Sequence, residues 1–249
     1  MPQGWNRGTR KEVTPGQIKN FTFRRDKRLR KVTKRDTALD QVVPLFIEDC
    51  QLTKNQVSKI EISTRGQNIN QTWFEQRKGR VTASKFHQVA TKSESLIKKR
   101  GKKVNTYSPL VFRLLGKSAD LSHHPQIEWG RINKKDAIQA FISDIATQHL
   151  RLLSPTTIEI KCPYKVRDKD IFDKNVVKEV DFLESAEGQL RLKCSHEYYS
   201  QVQGQMWVCG MQQSYFIVWT SVKKPLYEKI LFDAAYCESL VHKQNIMPD

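Results

Sequence analysis

A short run at 157–163, which starts with β-branched residues, contains a charged pair that could do chemistry, Glu159 and Lys161. Side chains of a β-strand alternate between two faces, so this pair shares one face while Ile158 and Ile160 point to the other. A glutamate can bind Mg²⁺, and a nearby lysine can steady the charge on a phosphate. Because taking two charges out of water is costly, a buried pair indicates a function. The alternative is a partly exposed strand whose charges neutralise each other, and the strand alone leaves both open.

The element that precedes this strand is a predicted helix over residues 125–149. Pro125 suits a first helical turn, and apolar residues recur at helical spacing from Ile127 to Ile145. Lys134 falls on the same stripe. A charged residue there is either functional or a long side chain that reaches the edge of the core, and both remain open.

The residues after the strand predict the rest of a domain. We expect a charged loop and helix over 166–187, a strand over 189–193, a helix over 197–210, a buried strand over 214–220 and a closing helix over 227–242. This order of helices and strands predicts an α/β domain with a small mixed β-sheet.

Composition limits the class of protein. The chain has 249 residues, 38% of them hydrophobic, which is enough for a sizeable core. Its five cysteines form no close pair, so neither a zinc site nor a disulfide framework is predicted. No apolar run approaches the roughly 20 residues of a membrane span, and no signal-peptide core is present. We expect no membrane contact and an intracellular protein, either nuclear or cytoplasmic.

The positive charge of the chain is concentrated near its start. The formal net charge is +17, and residues 1–36 carry twelve Lys and Arg against three acidic residues, a net +9. Such a charge attracts polyanions, of which nucleic acid is the commonest. The segment predicts a flexible basic arm that binds phosphates or directs nuclear import, with a merely solvated tail as the alternative.

Four groups of residues then carry a resemblance to a known family, in the family's order. They are Trp73, Arg77 and 80–84; Trp129, Gly130 and Ala137; 158–164; and 198–206. Together they resemble the YqaJ-type viral recombinase domain, the lambda-exonuclease branch of the PD-(D/E)XK nucleases. The resemblance extends over about 64–242, so we divide the chain into a basic arm (1–36), a helical lead-in (37–63) and a YqaJ-like nuclease domain (64–249).

The resemblance implies a restriction-endonuclease-like fold that degrades duplex DNA ends with Mg²⁺ or Mn²⁺, commonly 5′ to 3′ for recombination or repair. Glu159 matches the metal-binding carboxylate, and the backbone of Ile160 is a further expected ligand. Lys161 matches the catalytic lysine, and Gln201 or Gln203 matches a glutamine that follows the core. Ring-shaped oligomers occur in this branch.

The same resemblance implies a phosphate-binding group upstream. Arg77 and Ser84 match positions that hold the 5′-phosphate of the DNA, and Arg80 lies between them. A guanidinium and a hydroxyl suit that role because both donate hydrogen bonds to phosphate oxygens.

Two carboxylates that the resemblance implies are absent from the sequence. Gly130 and Ala137 keep the spacing of the family's helix, but Lys134 stands where the family has Glu. An Asp-bearing hairpin normally precedes the Glu-x-Lys strand, whereas here residues 149–157 join helix and strand directly, so we expect a truncated sheet. We therefore expect the Lys134 amine to take the place of the metal and to pair with Glu159.

The sequence thus leaves two main functions open. The first is a Mg²⁺-dependent deoxyribonuclease acting at duplex ends. The second is a nuclease-derived protein that binds DNA with little or no catalysis. RNA binding or cleavage is a third alternative, because charge alone does not distinguish the two polymers.

Overall fold

The structure is a computed structural model that describes residues 52–98, 109–117, 121, 123–148 and 155–245. The predicted basic arm and most of the predicted helical lead-in lie outside these residues. The described residues belong to two compact units, one ending at Arg80 and the other beginning at Val81.

The described residues of the unit that ends at Arg80, 52–80, contain two helices, α1 (Lys54–Ser63) and α2 (Gln71–Arg77), with a 3-10 turn at Gln67–Ile69 between them. Helix α1 begins with a capping box at Thr53. The Thr53 hydroxyl accepts from the backbone N–H of Gln56, and the side-chain oxygen of Gln56 accepts from the backbone N–H of Thr53.

The unit that begins at Val81 contains the mixed α/β domain. Its described helices are α3 (Phe86–Lys98), α4 (Pro109–Leu114), α5 (Pro125–Ile132), α6 (Lys134–Thr147), α7 (Lys174–Lys178), α8 (Glu197–Cys209) and α9 (Ala234–Asn245). Its described strands are β1 (Thr157–Lys161), β2 (Leu183–Ala186), β3 (Gln189–Leu192), β4 (Gln213–Val218) and β5 (Leu226–Leu231).

Within the described part of the chain, the main sheet has three strands in the order β1-β4-β5. Strand β1 runs parallel to β4, with Glu159 opposite Phe216 and Lys161 opposite Val218, and β4 pairs antiparallel with β5. Strand β1 is therefore an edge of the sheet among the described residues. The small mixed sheet flanked by helices confirms the predicted fold class.

Helices cover both faces of this sheet because β4 is apolar on both. Phe141 and Ile145 of α6 pack with Ile217 on one face. Val202 and Met206 of α8 belong to the larger core on the other face, where they join the apolar residues of β4, β5 and the β2–β3 hairpin. The Glu-x-Lys strand thus lies between two helices, with Ile160 packed against the α6 side.

The prediction of a closing helix over 227–242 is wrong for its first residues. Tyr227 to Leu231 belong to β5, because β4 offers an antiparallel partner and pairing outweighs local helix preference. The helix there, α9, begins at Ala234. The segment predicted as loop and helix over 166–187 also ends in a strand, β2, which pairs antiparallel with β3.

The predicted helix over 125–149 is two helices that meet at Asn133. The Asn133 side chain donates to the carbonyl of Trp129 (2.9 Å), which ends α5, and Asn133 is itself buried. The buried stripe of α6 continues from it through Ala137, Phe141 and Ile145. None of the helices within the described part of the chain is both long enough and apolar enough to cross a membrane.

Candidate functional site

Glu159 and Lys161 form an ion pair on the face of β1 that α8 covers. Lys161 Nζ lies 3.0 Å from Glu159 Oε1. The lysine side chain is only 17% exposed and the glutamate side chain only 14%. The shared face follows from strand alternation, as predicted. The pair is therefore shielded from water, where an ion pair is stronger than at the surface but both charges are costly to desolvate.

Helix α8 supplies three further contacts to this pair. Gln201 Oε1 accepts from Lys161 Nζ (3.1 Å), and Gln205 Nε2 donates to Glu159 Oε2 (2.7 Å). Lys161 Nζ also lies 3.5 Å from the ring centroid of Tyr198, a cation–π contact. Both carboxylate oxygens of Glu159 are thus engaged by donors of the protein.

Sequence reasoning identified Gln201 but missed Gln205 and Tyr198. The signal was present in their spacing, because residues three and four apart share one face of a helix, and 198, 201 and 205 follow that spacing. Gln203 lies two positions from both glutamines and points elsewhere. It is fully buried, donates to the Leu231 carbonyl (2.9 Å) and accepts from the Asp233 amide (2.9 Å). Gln203 therefore links α8 to the end of β5 and takes no part in the pair.

Two local features fix the position of α8. His196 caps its first turn, since the ring Nδ1 accepts from the Tyr198 amide (3.1 Å). Gly204 allows the helix to approach α3 closely, because a Cβ there would lie 2.5 Å from Cδ2 of the buried Phe86 ring. The glutamines that contact the ion pair depend on this placement.

Lys134 does not lie where the sequence predicted. It begins α6 as an exposed residue, next to the buried stripe, because the stripe runs through Asn133 and the residues four, eight and twelve positions later. Glu159 pairs with Lys161, and the expected pairing of Lys134 with Glu159 is not seen among the ion pairs of the described residues. The charge of Lys134 acts near Cys162 instead: burial raises the pKa of that thiol to about 11, and the Lys134 ammonium partly opposes the shift.

The three residues of the predicted phosphate-binding group lie in different units. Arg77 ends α2, with its guanidinium carbon 4.2 Å from the ring centroid of Trp73, and Arg80 ends the same unit. Ser84 belongs to the other unit, in a 3-10 turn at Ala83–Lys85, where its hydroxyl lies 3.2 Å from that of Thr82. Their joint role in binding phosphate stays a prediction.

The described residues do not fit the Mg²⁺ that the family resemblance implies. They contain no group of three or more His, Cys, Asp or Glu side chains that could hold a metal ion. Mg²⁺ requires oxygen ligands, and Gln205 Oε1, which is buried without a hydrogen-bond partner in the described part of the chain, adds only a neutral one. The Asp144 carboxylate of α6 is already engaged, since it accepts from Tyr227 OH (2.9 Å) and from Gln148 (2.8 Å). The ammonium of Lys161 already neutralises Glu159.

Comparison with protein families identifies the ancestry of the domain. The family model described as the YqaJ-like viral recombinase domain matches residues 72–212, more than half of the chain. The chain belongs to the YqaJ-like viral recombinase domain family. The match includes β1 and α8, so the ion pair and its glutamines lie within the matched region of this YqaJ-like domain.

The chain is also similar to a second protein family and to two solved structures. A second family model, viral alkaline exonuclease, matches residues 12–113. Two solved structures are similar at 19% identity, each covering 69% of this chain and 87% of its own. They are LHK-Exo in complex with dAMP (TM-score 0.45) and the alkaline exonuclease LHK-Exo from Laribacter hongkongensis (TM-score 0.40). No curated protein matches the chain.

Proposed function

We propose that this chain is a DNA-binding protein of exonuclease ancestry whose Glu159–Lys161 pair stabilises the domain and does not hydrolyse DNA. The observation that carries the proposal is the engagement of both Glu159 oxygens, one by Lys161 and the other by Gln205. A carboxylate neutralised in this way is a poor ligand for a divalent cation, which depends on anionic oxygens to offset its dehydration.

DNA is the proposed partner for two reasons. The net charge of +17 favours a polyanion. The two family descriptions name a recombinase domain and an exonuclease, and both classes act on DNA. We assign the protein to DNA recombination or repair inside the cell on the same grounds. A ring-shaped oligomer remains a prediction from the sequence resemblance.

A second candidate function is a metal-dependent DNA exonuclease. The Lys161–Gln201 hydrogen bond favours it, because two residues that the resemblance assigns to catalysis are in contact. This function requires carboxylates beyond those that the structure describes at the pair.

One experiment separates the two candidates. The full chain and its Glu159→Ala variant are incubated with 5′-phosphorylated linear duplex DNA and Mg²⁺ or Mn²⁺, and binding to the same duplex is measured in EDTA. Glu184→Ala, at an exposed glutamate of β2, is the matched control. We expect the wild-type protein to bind the duplex in EDTA. With Mg²⁺ or Mn²⁺, we expect all three proteins to digest the DNA equally and only at the background level. If the wild type and Glu184→Ala digest the DNA and Glu159→Ala does not, the protein is an exonuclease. If the wild type does not bind DNA, the proposal is overturned.

A further inference from the structure

Three aromatic residues form a cluster at one end of the main sheet. Trp129 lies on α5, Tyr164 begins a 3-10 turn after β1, and Trp219 follows β4 directly. The rings of Trp129 and Trp219 are stacked, with centroids 6.3 Å apart and planes at 29°. Tyr164 meets the Trp129 ring edge-on, also at 6.3 Å. We call these three residues the aromatic cluster.

The aromatic cluster is joined to the strand that carries the ion pair. The amide of Trp219 donates to the carbonyl of Lys161 (3.0 Å), which continues the β1–β4 pairing by one residue. Tyr164 follows Lys161 by three residues. The cluster therefore lies at the end of β1 where Glu159 and Lys161 are found.

The aromatic cluster differs from a closed core in two respects. All three residues are partly exposed, and none belongs to either buried core of the main sheet. Trp129 Nε1 is buried and has no hydrogen-bond partner among the described residues. Buried indole N–H groups ordinarily have a partner, so the cluster contains a donor that packing alone does not satisfy.

The charges beside the aromatic cluster are more positive than negative. The Arg167 guanidinium lies 4.2 Å from the Tyr164 ring centroid and pairs with Asp168. Lys165 is exposed, and exposed Lys134 and Asp136 both act on the thiol of Cys162, two residues before Tyr164. Glu128 and Arg131, which flank Trp129 on α5, pair with each other at 3.7 Å. These four cations against three carboxylates favour a phosphate-bearing ligand over an uncharged one.

We propose that the aromatic cluster is a stacking platform for the unpaired bases of a single-stranded DNA end. The inference rests on the proposed DNA binding and adds the class of DNA, one with a single-stranded segment. Partly exposed aromatic rings beside cations suit such a segment, because every base has a π-face and every nucleotide a phosphate. An interior base pair of a duplex has both faces covered by its neighbours, so a blunt duplex offers the platform only the outer faces of its terminal pairs.

The test compares two DNA ligands with matched tryptophan variants of the full chain. The ligands are a fluorescein-labelled 20-nucleotide single strand and the corresponding blunt duplex, measured by anisotropy in EDTA. We expect Trp219→Ala to weaken single-strand binding about ten-fold and to change duplex binding less than about two-fold. Trp207→Ala is the control, since Trp207 is 46% exposed and packs against Phe86 away from the cluster. It should change neither affinity.

A second variant keeps the test decisive if Trp219→Ala folds poorly. Trp219→Phe retains a ring, so we expect near wild-type single-strand affinity with less quenching of tryptophan emission on binding. Equal losses for both ligands, no loss for either, or a Trp219-dependent preference for RNA of the same sequence would overturn the inference. Absence of binding to both ligands by the wild type would instead overturn the proposed function.

Discussion

The chemistry of Glu159 is determined by which donors reach its two oxygens. In the described residues these donors are an ammonium at 3.0 Å and a side-chain amide at 2.7 Å. Removing one partner of a shielded ion pair leaves an uncompensated charge, whereas removing both partners together leaves none. The pair therefore contributes to stability in a way that single and double substitutions distinguish.

We predict that Lys161→Met lowers the free energy of unfolding by about 2 kcal/mol, and Glu159→Gln by a similar amount. The double variant should lose clearly less than the sum, because neither charge is then left alone. Urea denaturation followed by circular dichroism measures all three. Lys223→Met is the control: it removes an exposed pair with Asp170 and should cost less than about 1 kcal/mol. Additive losses in the double variant would contradict a coupled pair.

Helix α8 connects the ion pair to the core, and its start depends on a titratable cap. Burial lowers the pKa of His196 below its usual value of 6.5, the Lys161 ammonium adds to the shift, and the carboxylates of Asp181 and Glu197 oppose it. The neutral ring accepts the hydrogen bond from the Tyr198 amide, and a protonated ring would have no acceptor to offer. The cap is thus present above the pKa of the unfolded state and is lost as the pH falls through the lower pKa of the folded state.

We predict that lowering the pH from 7.5 to 5.5 reduces the stability of the wild type more than that of His196→Asn. Asparagine accepts the same capping hydrogen bond at every pH in this range, so the contribution of the histidine to the pH dependence disappears. Urea denaturation at a series of pH values measures the difference. His124→Asn is the control, at an exposed histidine whose side chain makes no capping hydrogen bond. Identical pH profiles for wild type and His196→Asn would argue against the cap.

The distribution of charge along the whole chain bears on how it binds DNA. Residues 1–36 contribute +9 of the net +17, and the remaining residues therefore contribute +8. Each phosphate contact releases counterions, so the number of cations in contact determines how steeply affinity falls with salt. The contributions of the basic arm and of the structured domain to DNA binding can therefore be separated by measuring how the affinity for DNA depends on salt concentration.

We predict that deleting residues 1–36 makes the plot of log Kd against log salt concentration less steep. The slope should fall by about 0.9 for each phosphate that the arm neutralises, and therefore by several units in total. The preference of the protein for single-stranded over blunt DNA should persist, because the aromatic cluster lies outside the deleted segment. Anisotropy titrations between about 50 and 200 mM salt measure the slope. Replacing the arm by a neutral Gly/Ser segment of equal length controls for chain length. An unchanged slope would show that the arm makes no phosphate contacts.

The sequence was sufficient for features that depend on local pattern and residue order. Alternation along β1 predicted that Glu159 and Lys161 share a face, and their ion pair confirms it. The ordered motifs predicted the family, which the match over residues 72–212 confirms. Both succeed because strand periodicity and motif order are properties of the chain that folding does not alter.

Features that depend on contacts distant in sequence were decided in the fold. Lys134 stood one position away from a buried stripe, and the break at Asn133 determined which side of α6 faces the sheet. Residues 227–231 became a strand because β4 was available as a partner. Helical spacing places Gln205 on the same face of α8 as Gln201, but only the packing of α8 on β1 brings it to Glu159, 46 residues earlier in the sequence.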